Sequence, residues 1–223
     1  MNFKFKKNFN VITLLGIALT ISAILNVYLF NKKQQPLIPT YKVIGIIDGD
    51  TFVIEGKHKV RLRHTQAPEM GNCGSEEAKN LLTKLIDNKE VIFENEIPDP
   101  WGRKMAMVFV EGLNINLEMV KSGTSRYYHD VTPYEEAMKK AGQDAEANKL
   151  GIFAKCESIT PPDPKCAIKG NIRRGREQNK YYLPGGVCPQ YPFAKVSLDL
   201  GEKWFCTEAE AKAAGYSKAE NCK

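Results

Sequence analysis

The sequence predicts a mainly β protein with α: a small five-stranded β-barrel with interleaved helices, preceded by one transmembrane helix and followed by a small α+β module stapled by disulfides. Three observations predict it. A charge-free apolar run occupies Asn8 to Asn31. Five short alternating segments, interleaved with amphipathic ones, follow between residues 41 and 155. Four of the six Cys fall in the last 58 residues. With 223 residues, 43% hydrophobic and 26% charged, the composition excludes a disordered chain, a collagen-like fibre and a multi-span membrane protein. The expected boundaries are 1–40 for the anchor and stalk, 41–155 for the barrel, 156–165 for a Pro-rich linker and 166–223 for the tail module.

Val11 to Phe30 is an apolar stretch of 20 residues. At 1.5 Å per residue, a helix of about 20 residues spans the ~30 Å hydrocarbon layer. A cleavable signal peptide has a shorter apolar region and a small-x-small site; Thr20-Ile21-Ser22-Ala23 is a poor one, and Ile24-Leu25 continue the run. An uncleaved signal-anchor is therefore the first reading, and a secreted or periplasmic product of signal cleavage the second. Lys4, Lys6 and Lys7 precede the span and Lys32 and Lys33 follow it. A short leader with three Lys stays cytoplasmic, which leaves the rest of the chain outside a single-pass membrane anchor. Pro36 and Pro39 break any helix in the stalk.

Residues 41–55 alternate apolar and polar on both sides of Asp48-Gly49-Asp50, the pattern of a hairpin with an Asp-Gly turn. Residues 58–64 form a third strand. Glu76 to Asp87 is a helix, with Ala78, Leu81, Leu82 and Leu85 on one face. Glu90–Glu96 and Lys104–Val110 are strands flanking Asp99-Pro100-Trp101-Gly102-Arg103. Helices follow over Leu113 to Lys121, stopped by Gly123, and Tyr134 to Lys149, stopped by Gly151. In the tail, Glu208–Ala214 is a short helix capped by Thr207 and stopped by Gly215.

The six Cys are Cys73, Cys156, Cys166, Cys188, Cys206 and Cys222, with no CxxC pair. Behind an export segment they favour disulfides; zinc held by the four tail Cys is the alternative, and spacing leaves three pairings of those four open. Net charge is +6, yet residues 41–155 carry 16 Lys+Arg against 18 Asp+Glu. The basicity belongs to the termini, so it is no argument that the barrel binds nucleic acid.

Four segments, VIGIIDGDTFVI (43–54), VRLRHTQAPE (60–69), DPWGRKMA (99–106) and KLGIF (149–153), together resemble the thermonuclease (staphylococcal nuclease-like) family in order and spacing. The resemblance implies an OB-type barrel with three helices, and hydrolysis of DNA or RNA phosphodiesters with Ca²⁺ or another divalent cation. It implies that Asp50, Gln66 and Glu69 form the metal site, Glu69 through water. Glu69 matches the carboxylate that acts as base or water-positioner, and Arg61 and Arg103 match the phosphate-clamping pair. Tyr127 and Tyr128 fall where members place aromatics near a bound nucleotide; core packing is the other reading. His58, His64 and His129 are scattered and read as no ligands. The chemistry is consistent: cleaving a phosphodiester needs a hard cation to polarise the phosphoryl oxygen, a base near the attacking water and guanidinium donors for the growing charge.

Gln66 stands where the family has Asp. Its amide oxygen can meet Ca²⁺ but brings no charge, so the site is one charge weaker. Two functions follow: metal-dependent nucleic-acid hydrolysis outside the cytoplasmic membrane, or a weak or inactive nucleic-acid-binding module. No protein partner is inferred. The tail (CAIKGN, 166–171; YYLPGG, 181–186; KWFCTEAEAKAAGY, 203–216) resembles a small module found behind such nuclease domains in exported bacterial proteins. That resemblance implies Cys166–Cys206, with Cys188–Cys222 and Cys73–Cys156 as the remaining pairs. Arg173, Arg174 and Arg176 beside Tyr181 and Tyr182 offer a phosphate grip or a solvated loop.

Overall fold

The hairpin expected around Asp48-Gly49-Asp50 forms from β1 (Thr40–Ile46) and β2 (Thr51–Ile54), paired antiparallel with Ile46 opposite Phe52. A computed structural model of the chain describes residues 11–33, 39–173 and 178–223. The chain divides into two units, residues 1–39 and 40–223. The leader lysines, Pro36, and Arg174 and Arg176 of the tail lie outside the described residues.

In the first unit, α1 runs Val11–Lys33. Its described side chains, Thr13 to Leu29, are exposed on every face. Among the described residues no helix is long and apolar enough to cross a membrane.

In the second unit, β3 (His58–Leu62) pairs with β2, placing Thr51 opposite Arg61. The two-residue β4 (Thr65–Gln66) follows, and then α2 (Ser75–Ile86). Next come β5 (Glu90–Pro98) and β6 (Lys104–Val110). β1 also pairs with β5, β5 with β6, and β6 runs parallel to β3. That last pairing closes five strands into an OB-like barrel. The short β7 (Leu113–Asn114) extends β6, and its Asn114 caps α3 (Ile115–Lys121) by accepting the Leu117 N–H at 3.1 Å. β8 (Arg126–Tyr127) pairs with β4, and α4 (Glu135–Ala147) and α5 (Ile152–Lys155) complete this part.

Alternation puts Val43, Phe52, Ile54, Val60, Leu62, Ala106 and Val108 inside the barrel, where Leu82 and Ile86 of α2 and Ile115 and Met119 of α3 close the core. α4 packs outside, with Met138 and Ala141 on Met107 and Val120. Where the β3 and β6 chains diverge, buried Asn116 supplies the missing ladder: its side chain accepts the Val108 N–H and donates to the Arg63 and Ala106 carbonyls.

The segment expected as a linker starts in a ladder. β9 (Glu157–Ser158) pairs with β12 (Val196–Ser197). The tail builds a four-stranded sheet from β10 (Ile168–Asn171), β11 (Lys180–Tyr182), β13 (Lys203–Phe205) and β14 (Ser217–Lys218), in the order β13-β10-β11-β14. α6 (Glu208–Ala213), capped by Thr207, covers it. The core here is thin: Ile168, Tyr181, Phe205, Ala211 and Tyr216. Lys169 is fully buried, donating to the Tyr191 and Ala194 carbonyls at 2.7 Å each and lying 4.2 Å from the Tyr191 ring centre. The disulfides are Cys73–Cys156, Cys166–Cys206 and Cys188–Cys222, and no cysteine is free.

Candidate active site

The β1–β2 turn carries Asp50 inward. Asp48 Oδ1 accepts the Asp50 N–H at 2.9 Å, tightening the turn. Gly49 is required there, because a Cβ would lie 2.5 Å from Ala78 Cβ and 2.7 Å from Ala67 Cβ. Asp50 Oδ1 accepts from the Thr51 hydroxyl at 2.8 Å and from Arg61 Nη1 at 2.6 Å, and Oδ2 accepts the Ala67 N–H at 3.0 Å. Those contacts stitch the turn to the segment that holds Gln66 and Glu69. Burial pushes the Asp50 carboxyl up to about 6; the Arg61 charge opposes this and Asp48 adds to it.

Arg61 and Arg103 share one construction. Each rests one guanidinium nitrogen on a buried carboxylate: Arg61 on Asp50 and Arg103 Nε on Asp99 Oδ2 at 2.5 Å. Their other nitrogens have no partner among the described residues. Burial raises Asp99, but hydrogen bonds from the Arg103 side chain and the Arg103 and Trp101 N–H groups outweigh it and hold the carboxyl low. The guanidinium of Arg103 also lies 5.3 Å from the centre of the Trp101 ring. Two oriented cations with spare donors suit an anionic, multiply oxygenated ligand.

Both arginines line a cleft of about 670 Å³ together with Gln66, Glu69, Trp101 and Tyr128. Glu69 is exposed, and its carboxylate has no partner among the described residues. Asp50 lies beneath Arg61 rather than on the cleft wall. Tyr128 is half-exposed and Trp101 78% exposed. Tyr127 does not line the cleft: its ring packs beside Met107, Val120 and Met138, and its hydroxyl donates to Glu135 at 3.4 Å. His64 is buried in the cleft wall with Nε2 2.6 Å from the Thr132 hydroxyl, and burial lowers its pKa, keeping it neutral.

For a cation, the donors present are the Asp50 carboxylate, the neutral Gln66 amide oxygen and the Glu69 carboxylate at the rim. Among the described residues no three His, Cys, Asp or Glu cluster to hold a metal. The set fits an open site for a cation that keeps most of its water, and not a closed cage.

Sequence reasoning missed several contributors. Asp99 has no role assigned by the motif, although its N-terminal position in Asp-Pro-Trp-Gly-Arg is the signal of a turn that can reach back to its own Arg. Arg63, which forks onto Asp130 at 2.6 and 2.7 Å, ties β3 to the 128–132 loop with no local sign in the sequence. Ile172 and Leu200, from the tail, also line the cleft, beyond the last of the motifs in the sequence.

A closed OB-like barrel presents two carboxylate-anchored arginines and a free carboxylate in one cleft, an arrangement suited to an anionic ligand. Residues 59–155 match the family described as staphylococcal nuclease homologue. The chain is 32% identical over 126 residues to an uncharacterized endonuclease of Haemophilus influenzae, covering 55% of this chain and 70% of that protein. It is 28% identical over 139 residues to a thermonuclease of Staphylococcus hyicus (56% and 80%), and 26% over 145 residues to an endonuclease of Bacillus subtilis (58% and 69%). The chain belongs to the staphylococcal nuclease homologue family. The family match ends before the tail module.

Proposed function

We propose that the chain is a nuclease: it hydrolyses phosphodiester bonds of DNA or RNA in the cleft between Arg61, Glu69 and Arg103. The observation that carries this reading is the pair of guanidiniums, each anchored on a buried carboxylate and each presenting unpaired donors to the cleft that also holds the Glu69 carboxylate. The scissile phosphate takes its hydrogen bonds from Arg61 and Arg103. Glu69 orients a water and accepts its proton as the water oxygen bonds to phosphorus. The P–O bond to the leaving nucleoside breaks, the released oxygen takes a proton from solvent, and the two arginines neutralise the charge that grows on the phosphoryl oxygens. Asp50, Gln66 and, through water, Glu69 would hold a divalent cation, Ca²⁺ by family resemblance, which would supply Lewis-acid polarisation of a phosphoryl oxygen. Because Gln66 adds no charge, the cation requirement lies in the millimolar range.

We further propose that α1 tethers the chain and that the nuclease faces outward. The charge-free run Asn8 to Asn31, the flanking lysines and the three disulfides support that placement.

The purified chain is incubated with labelled single-stranded DNA and RNA in Ca²⁺, Mn²⁺ or Mg²⁺ and in chelator. Cleavage with cation and none in chelator is expected. A second reading, binding without cutting, is favoured by the neutral Gln66. Retained binding with no cleavage at millimolar levels of any of these cations selects it and rejects the enzyme.

A further inference from the structure

Part of the cleft wall comes from outside the barrel. Ile172, at the end of β10, and Leu200, just before Gly201, line the cleft with Arg61, Glu69 and Arg103. Hydrogen bonds and ion pairs of their neighbours place both. Arg126, paired in the ladder with Gln66, donates Nε to Asp199 Oδ2 at 2.6 Å and Nη2 to Glu157 Oε1 at 2.7 Å. Asn72 Nδ2 donates to the Asp199 carbonyl at 3.3 Å, while the Asn72 N–H is held by the Glu69 carbonyl at 2.9 Å. Glu202 accepts the Ile172 N–H at 3.1 Å and the Asn171 amide at 2.9 Å. Gly201 sits at φ +81°, and a Cβ on it would come within 3.5 Å of Ile172 and 3.4 Å of Asn72. One set of contacts therefore fixes the tail loops and the turn that carries Glu69.

We propose that Ile172 and Leu200 form a ledge that contacts the nucleoside next to the scissile phosphate, making the tail module part of the substrate site and a determinant of which nucleotide is accepted. The proposal rests on the nuclease reading of the cleft. Phosphate oxygens are satisfied by the two guanidiniums, and what remains of the adjoining nucleotide is a flat, weakly polar base and a sugar. A wall built to track further phosphates would carry Lys or Arg; this wall carries two branched aliphatic side chains. The cleft volume of about 670 Å³ lies in the range of sites that enclose small ligands.

The test measures binding of a fluorescent single-stranded oligonucleotide to the full chain in chelator, and steady-state kinetics with cation. Truncation removes contact made equally in ground and transition states. Ile172→Ala and Leu200→Ala should each raise Kd and KM by roughly five-fold with kcat within about two-fold. Phe193→Ala, an exposed tail residue off the cleft, should change neither. Ile172 is 36% exposed, so Ile172→Glu puts its carboxylate at the surface and, where circular dichroism shows the variant folded, should weaken binding by at least roughly ten-fold through charge repulsion. Unchanged Kd and KM in the folded variants overturn the ledge, as does a wild-type chain that does not bind the oligonucleotide. A chain that binds through the ledge but never cuts rejects only the nuclease reading. One that cuts with KM indifferent to Ile172 and Leu200 rejects only the ledge.

Discussion

Asp50 and Gln66 together set the behaviour of the proposed site. Asp50 must be ionised to hold Arg61 and a cation, yet burial raises its carboxyl to about 6. The cleavage rate at low cation should therefore rise with pH through about 6, and saturating cation, which competes with the proton, should move the rise lower. A rate flat from pH 5 to 7 at low cation would contradict this. Stability carries the opposite sign. Between the unfolded value of 3.8 and about 6, the folded carboxyl keeps a proton the unfolded chain has released, so stability falls as pH rises across that window. Asp50→Asn should remove that slope in a urea-unfolding series. Gln66→Asp restores an anionic ligand and should lower the cation concentration for half-maximal rate by about ten-fold or more. Arg103→Lys keeps the charge but loses the fork anchored on Asp99, and should lower kcat by roughly 10²-fold or more. Arg61, Glu69 and Arg103 were legible because their motifs recur in order. Asp99 was not, because its role depends on a turn.

Among the elements, the β1–β2 turn and the β4–β8 ladder carry the site. Gly49→Ala forces its methyl group against Ala67 and Ala78 and should cost about 1–3 kcal/mol in urea unfolding. Arg126→Met leaves the buried Asp199 without its cation, while Glu157 keeps Lys195 at 3.1 Å, and should cost about 3 kcal/mol. Loss of under 1 kcal/mol would show that water replaces the guanidinium. The long periodic elements were legible: α2 lies within one residue of its expected span, and α3 and α4 begin where Asn114 and Tyr134 end the preceding chain. The two-residue ladders were not. Segments as short as Thr65–Gln66 and Glu157–Ser158 carry no period, and a Pro-rich stretch reads as a linker even when its first residues are pinned by a distant strand.

For the whole molecule, covalent links compensate for a thin core in the tail. The Cys166–Cys206 and Cys188–Cys222 bridges span 40 and 34 residues of sequence, and each stabilises by roughly 4 kcal/mol in the chain-entropy description. Full reduction should loosen the tail first, and through Ile172 and Leu200 it should raise KM before it abolishes cutting. The barrel was legible from its alternation; the joining of barrel and tail was not, because a buried Arg126–Asp199–Glu157 cluster is written in three separate segments. Membrane tethering is checked by fractionation: α1 should keep the chain in the pellet at high salt, and release by salt alone would contradict an anchor. The measurement closest to the central claim is the initial rate of oligonucleotide cleavage by the wild-type chain and by Glu69→Gln at millimolar Ca²⁺, Mn²⁺ and Mg²⁺. The account predicts cation-dependent cleavage by the wild type, lost in Glu69→Gln while oligonucleotide affinity stays within about two-fold; equal rates for the two proteins would contradict it.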